Sequence, residues 1–296
     1  MARIGPIWGS DIRTHSALVK EAYAPLLRDA PKAGIDVHRD LPYGSHPRQV
    51  VDVFSPAGPT RGARPVAVFV HGGAFIRGDK NGPEGLYDNV LYWFARQGFV
   101  GVNVEYRLAP ESVHPGGADD VAAAIRWAHG NVHRFGGDPD RLLLIGHSAG
   151  GTHVASFAFD PGLPHRGAHA AAIVLISARL RADTLPENPN AAGVAAYFGT
   201  DPAAYGPCSP VAHGDGSGLP TMIVIAEHEN PLLDLYGLEM AHAIAVARRR
   251  APRILTMPGH NHLSIVAHFN TAEERLGRAI IDFLESAAPR PAPVTA

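Results

Sequence analysis

Between Leu142 and Ala155 an apolar run turns into a helical pattern through Gly146-His147-Ser148-Ala149-Gly150, with almost no room for an ordinary turn. The chemistry such a corner offers is nucleophilic. In G-x-S-x-G between a strand and a helix, the serine is held in a strained backbone conformation that exposes its Oγ at the C-terminal edge of the sheet. Glycine is expected at 146 and 150 because a side chain there would collide with the neighbouring strand and helix. The helix N-terminus also turns free N–H groups and the positive end of its dipole towards the hydroxyl. Without further partners, Ser148 would be no more than a helix N-cap.

A serine nucleophile needs donors for an oxyanion, a base, and an acid that orients the base. Candidate donors follow the apolar run Val68–Val70, where His71-Gly72-Gly73 can turn its amides towards a nearby oxygen; Gly72, Gly73 and Ala149 are expected to form the oxyanion hole. The base is expected after the last strand, where His260, His262 and His268 lie. His268 falls inside a helical pattern and His260 is nearest the strand, so His262, at the far end of the loop, is preferred. His260 and His262 have no neighbouring carboxylate or third histidine to complete a metal site. Past the penultimate strand stand Glu227, Glu229 and Asp234. Glu227 belongs to the strand end and Asp234 to the next helix, so Glu229 is preferred as the acid, with Asp234 the alternative. The order Ser148, Glu229, His262 is the chain order of an elbow-type hydrolase. Cys208, the single cysteine, has no place in this set.

These groups must be held by a scaffold. Strands are expected at Gln49–Ser55, Pro65–His71, Phe99–Tyr106, Arg141–Gly146, Ala171–Ser177, Pro220–Ala226 and Pro252–Pro258. Most are continuous Val/Ile/Leu runs, as in strands covered on both faces. Val121, Ile125, Ala128, Val132 and Phe135 form one helical stripe, and Leu86, Val90 and Phe94 another that stops at Gly98. The alternation predicts an α/β class chain: a mostly parallel twisted sheet of about eight strands, joined by right-handed crossovers, with helices on both faces. One domain over 1–296 is expected, with cap elements from about 1–34 and 179–219, because long segments that interrupt such an alternation are more often functional than idle. The tail Pro289–Ala296 is expected to be disordered.

Composition narrows the function. The 296 residues are 46% hydrophobic and 18% charged with a net charge of −2, and no basic run occurs, which disfavours nucleic acid and anionic membranes as partners. The lone cysteine, the lack of an apolar signal-peptide core and the lack of a long apolar span predict a cytoplasmic protein.

Four stretches, "HGGAF" at His71, "EYRLAPE" at Glu105, "GGDPDRLLLIGHSAGG" at Gly136 and "GHNHLS" at Gly259, resemble the α/β-hydrolase superfamily. The likeness is to hormone-sensitive-lipase-like esterases and kynurenine-formamidase-like enzymes, over about Asp36 to Ser286. It implies an α/β-hydrolase fold and a serine carboxylesterase acting by an acyl-enzyme, without metal or organic cofactor. Two departures stand out. The first group usually has Asp where His147 stands, and the acid is usually Asp where this chain has Glu229. The resemblance implies a small-molecule ester or amide as partner, with small soluble esters favoured and an arylformamide as the alternative. Phe75, Tyr197 and Phe198 are expected as pocket walls. Homodimerisation stays open. A non-catalytic small-molecule receptor on the same fold is the alternative from another class, disfavoured because both Ser148 and a late histidine are retained.

Overall fold

The computed structural model describes residues 3–59, 62–164, 166–214 and 217–287; the tail read as disordered lies outside them. The strands are β1 (Ile35–Pro42), β2 (Val50–Pro56), β3 (Arg64–Val70), β4 (Val100–Val104), β5 (Gly137–His147), β6 (Ala170–Ile176), β7 (Thr221–His228) and β8 (Arg253–Asn261). They form one eight-stranded sheet in the order β1-β2-β4-β3-β5-β6-β7-β8. Pairing is antiparallel from β1 to β2 and from β2 to β4, and parallel from there to β8.

The apolar runs explain the centre of this sheet. In β3, Val66, Val68 and Val70 face one packed layer while Ala67 and Phe69 face the other. In β5, Leu142 and Leu144 divide from Leu143 and Ile145 in the same way. Full burial of a Val, Leu or Ile side chain is worth roughly 1.5–3 kcal/mol, so runs of this kind favour strands covered on both faces. One cover consists of α3 (Gly116–Asn131), α4 (Ala149–Phe159) and α7 (Leu233–Arg248), through Val121, Ile125, Val154, Met240 and Ile244. The other is built from α1 (Ile12–Asp29), α2 (Leu86–Arg96), α8 (Ser264–Ala267) and α9 (Arg275–Ala287), through Val19, Leu27, Val90, Phe94, Ile265 and Ile280. The segment between β6 and β7 contributes α5 (Ala191–Phe198) and α6 (Tyr205–Cys208).

Each strand read from the apolar runs has a counterpart, and β1 completes the set. Its sequence "IDVHRDLP" has no continuous apolar run, since it is an edge strand exposed or half-exposed along its length. Of its residues, Ile35 and Val37 pack against one core layer and Leu41 against the other. The last strand is longer than its apolar run: β8 continues to Asn261, so His260 belongs to the strand and not to a loop.

Candidate active site

Ser148 lies between β5 and α4 with φ 54° and ψ −121°, a conformation that costs a non-glycine residue of order 1–3 kcal/mol. The packing around it explains both glycines. A Cβ on Gly146 would lie 2.6 Å from the Gly150 carbonyl oxygen, and one on Gly150 would lie 2.3 Å from the carbonyl oxygens of Val70 and His71. The corner is held in place by Ser148 N–H, which donates to Ile176 O at 3.0 Å.

His262 follows β8 directly. Its Nε2 is 3.0 Å from Ser148 Oγ and its Nδ1 is 3.0 Å from Glu229 Oε2, so the three groups form one hydrogen-bonded line. Glu229 stands just past β7, its side chain only 3% exposed. The carboxylate is fixed from several sides: Ser177 Oγ and Ala226 N–H donate to Oε1, and Asn230 N–H to Oε2. The other acids take no part. Asp234 is in the exposed first turn of α7. Glu227 is solvent-exposed and accepts from Gly259 N–H at 2.5 Å. His260 is buried between Ser264 Oγ and the Glu273 carboxylate, at 3.2 and 3.0 Å. His268 caps α8 with its ring against that of His260. Among the described residues no group of three or more His, Cys, Asp or Glu side chains could hold a metal ion.

The glycine-rich loop after β3 is anchored through Glu105. That carboxylate accepts from Lys80 N–H at 2.7 Å, contacts His71 Nε2 at 3.3 Å and pairs with Arg48. Tyr106 stacks on the His71 ring and donates its hydroxyl to His71 O at 3.0 Å. Glu105 and Tyr106 thus brace the loop, while Arg107 pairs with Asp120. The Gly72 amide lies against the Tyr87 hydroxyl, where it opposes the burial that raises the Tyr87 pKa. Gly73 and Ala74 line the cleft, and their amides have no protein acceptor among the described residues. Ala149 opens α4, where an amide has no intrahelical partner.

His147 connects the corner to the base. Its Nε2 is 3.0 Å from the His262 carbonyl oxygen, which can only accept, so Nε2 carries the proton. Nδ1 is then the acceptor facing Tyr87 Oη at 3.4 Å. Burial, with the neighbouring His262 in second place, holds the His147 pKa well below its usual value, and the ring stays neutral.

The cleft in front of Ser148 has a volume of about 700 Å3. Part of its lining comes from the N-terminal segment: Trp8, Ile12, Arg13, Ser16, Ala17 and Lys20. Trp8 is locked there by its indole N–H, which donates to Asn230 Oδ1 at 2.9 Å, next in the chain to Glu229. From residues 179–219 only Pro189 and Asn190 reach the cleft. The three aromatics expected as walls are elsewhere. Phe75 and Tyr197 stack at 4.9 Å, Phe198 packs edge-on against both, and none of the three lines the cleft. They form a small core of their own, because three large apolar rings gain more from one another than from water. Sequence reasoning missed Trp8, Tyr87, Ala74 and Ser177. Ser177 alone carries a local hint, its place at the end of an apolar run ahead of the Pro-rich segment.

The family model BD-FAE matches residues 51–160, the stretch from β2 through α4. Over 124 residues, 41% of this chain, the sequence is 41% identical to esterase LipC of Mycobacterium tuberculosis. It is 38% identical to the para-nitrobenzyl esterase of Bacillus subtilis over 136 residues, 42% of this chain. The chain spans only 30% and 27% of the length of those two relatives. Among solved structures, a bacterial heroin esterase shares the fold with a TM-score of 0.68 and 25% identity, over 94% of this chain and 92% of that one. Esterase B of Lactobacillus rhamnosis superposes with a TM-score of 0.75 at 19% identity, over 97% and 98% of the two chains. Shared architecture over nearly the whole length gives this chain the α/β-hydrolase fold, and its sequence likeness, over a stretch that includes the β3 loop and the serine corner, is to carboxylic ester hydrolases.

Proposed function

We propose that the chain hydrolyses carboxylic esters of small, soluble molecules through an acyl-enzyme on Ser148. The observation that carries this reading is the line from Ser148 Oγ through His262 to Glu229, with both His262 contacts at 3.0 Å, at the floor of an open cleft. Ser148 Oγ attacks the ester carbonyl while its proton passes to His262 Nε2, and Glu229 holds the opposite N–H and stabilises the imidazolium. The amides of Gly73 and Ala149 stabilise the tetrahedral oxyanion, joined by Ala74, while Gly72 shapes the loop through Tyr87. His262 then returns the proton to the departing alcohol oxygen as the C–O bond breaks. Water attacks the acyl-enzyme by the same route and frees the acid and Ser148. The 1–34 segment acts as the wall that selects the substrate, and 179–219 adds Pro189 and Asn190 to the cleft.

A panel of p-nitrophenyl esters from acetate to decanoate tests this reading. Turnover is expected to favour the short acyl chains and to disappear in Ser148→Ala. Undiminished turnover in that variant rules out the serine mechanism.

A further inference from the structure

The cleft and the chain carry opposite charge. The sequence as a whole is at −2, yet the cleft lining holds Arg13, Lys20 and Arg77 against the single carboxylate of Asp79. Asp79 is engaged by its own turn, where Oδ1 accepts from the Asn81 and Gly82 amides at 3.0 and 2.7 Å. Glu229 lies behind His262 and is paired with it. The cations are not used in this way. Arg13 and Lys20 form no ion pair or hydrogen bond among the described residues, and Arg77 has only the neutral Asn190 Oδ1 at 3.0 Å.

Their placement is regular. Arg13, Ser16, Ala17 and Lys20 are spaced i, i+3, i+4 and i+7 on α1, so one face of that helix looks into the cleft. Along the axis Arg13 and Lys20 are roughly 10 Å apart, which makes the cation pair a strip rather than a point. Like charges on one wall of a concave site repel each other and gain nothing for the fold. They raise the local concentration of an anionic ligand.

We propose that the substrate carries a carboxylate on the part remote from the scissile ester, and that Arg13, Lys20 and Arg77 receive it. This rests on the ester-hydrolase reading above and adds the substrate class: hemi-esters of dicarboxylic acids and related anionic esters. Arg13 and Lys20 stand on α1 and Arg77 in the loop after β3, on segments other than the β5–α4 corner that carries Ser148, so the anion is received by groups separate from those at the reacting carbonyl. It therefore adds to binding and leaves the chemical step to the groups on the sheet edge.

The test compares monoethyl succinate with ethyl levulinate, which has a methyl ketone where the former has its carboxylate. Wild-type kcat/KM is expected to favour the hemi-ester by about tenfold at low salt, the scale of two solvent-exposed charge contacts, and to approach parity at high salt. Arg13→Gln combined with Lys20→Gln should bring the ratio of the two substrates down towards parity, mainly through KM, so that intrinsic ester reactivity cancels. Equal ratios in wild type and double variant, insensitive to salt, overturn the proposal while the hydrolase reading stands. If neither ester nor p-nitrophenyl acetate is turned over, the hydrolase reading fails. The charge proposal is then judged by calorimetric titration of the wild-type protein with monoethyl succinate, where absent or salt-independent binding overturns it.

Discussion

At the β5–α4 corner, a Cβ on Gly146 or Gly150 would meet three backbone carbonyl oxygens at 2.3–2.6 Å. In the cleft lining, by contrast, Arg13, Ala17 and Lys20 of α1 are exposed side chains. The first region is determined by sterics, because backbone cannot yield to a side chain there. Nothing in the fold requires the residue types of the second, so their reason lies with what enters the cleft. Substitutions at the corner should therefore damage fold and chemistry together, whereas substitutions on the wall should alter recognition.

The largest effect sharpens this comparison at the charged end of the corner. Glu229→Gln is expected to lower kcat by about four orders of magnitude, as loss of the orienting carboxylate does in a serine protease, with KM nearly unchanged. Asp234→Asn should be close to wild type. Steady-state kinetics on both variants decide the matter, and a crippled Asp234→Asn would break the assignment.

Next comes the steric contrast itself. Gly150→Ala should cost more than about 4 kcal/mol or prevent folding, while Ala17→Ser on the wall should stay within about 0.5 kcal/mol of wild type. Urea unfolding reads both. A stable Gly150→Ala would show that β3 can move away from the corner.

Acid should loosen the corner before the wall, because neutral histidines are buried behind it. Burial holds His147 well below its ordinary value of 6.5, His153 at about 3 and His268 at about 4. The unfolded chain takes up these protons as pH falls through about 6.5, while the folded chain resists until far lower. Their contribution is thus full above about pH 6.5 and is lost as pH falls towards about 4 and then 3, at roughly 1.4 kcal/mol per unit and per histidine. The urea midpoint should drop steeply over that window. His153→Phe should flatten the slope, since His153 Nδ1 has no partner to lose and three aromatic rings surround it. An unchanged slope would remove His153 from the account.

The smallest effects separate the two aromatic regions. Phe75→Leu should cost about 1 kcal/mol of stability or somewhat more, and leave KM alone, because Phe75 packs on Tyr197 away from the cleft. Trp8→Phe should cost about 1 kcal/mol through the lost bond to Asn230, and raise KM modestly as the wall shifts. His260→Ala should keep most of its turnover. A reversal of the KM effects between Phe75 and Trp8 would return the pocket to the aromatic cluster.

Much of this molecule is local information. The apolar runs specify β3 to β7 because each of these strands buries both faces, and an unbroken run of Val, Ile and Leu suits no other environment as well; β8, at the sheet edge, is mostly exposed. The G-x-S-x-G corner is equally local, since two glycines and the strand–helix junction fall within five residues. The line of Ser148, Glu229 and His262 could be read as an order along the chain, but its 3.0 Å contacts depend on strands β5, β7 and β8 lying parallel in one sheet. Long-range assembly settled the rest. β1 earns its place as a strand through pairing with β2 rather than through apolar content. Phe75, Tyr197 and Phe198 carry no mark in sequence that tells core from pocket; the choice went to the partner that buried more ring surface. Trp8 reaches Asn230 across 222 residues, and no spacing rule spans such a distance. Side chains in contact with their own neighbours are legible one stretch at a time, while those whose partners arrive from elsewhere acquire a meaning only when the sheet has closed around them.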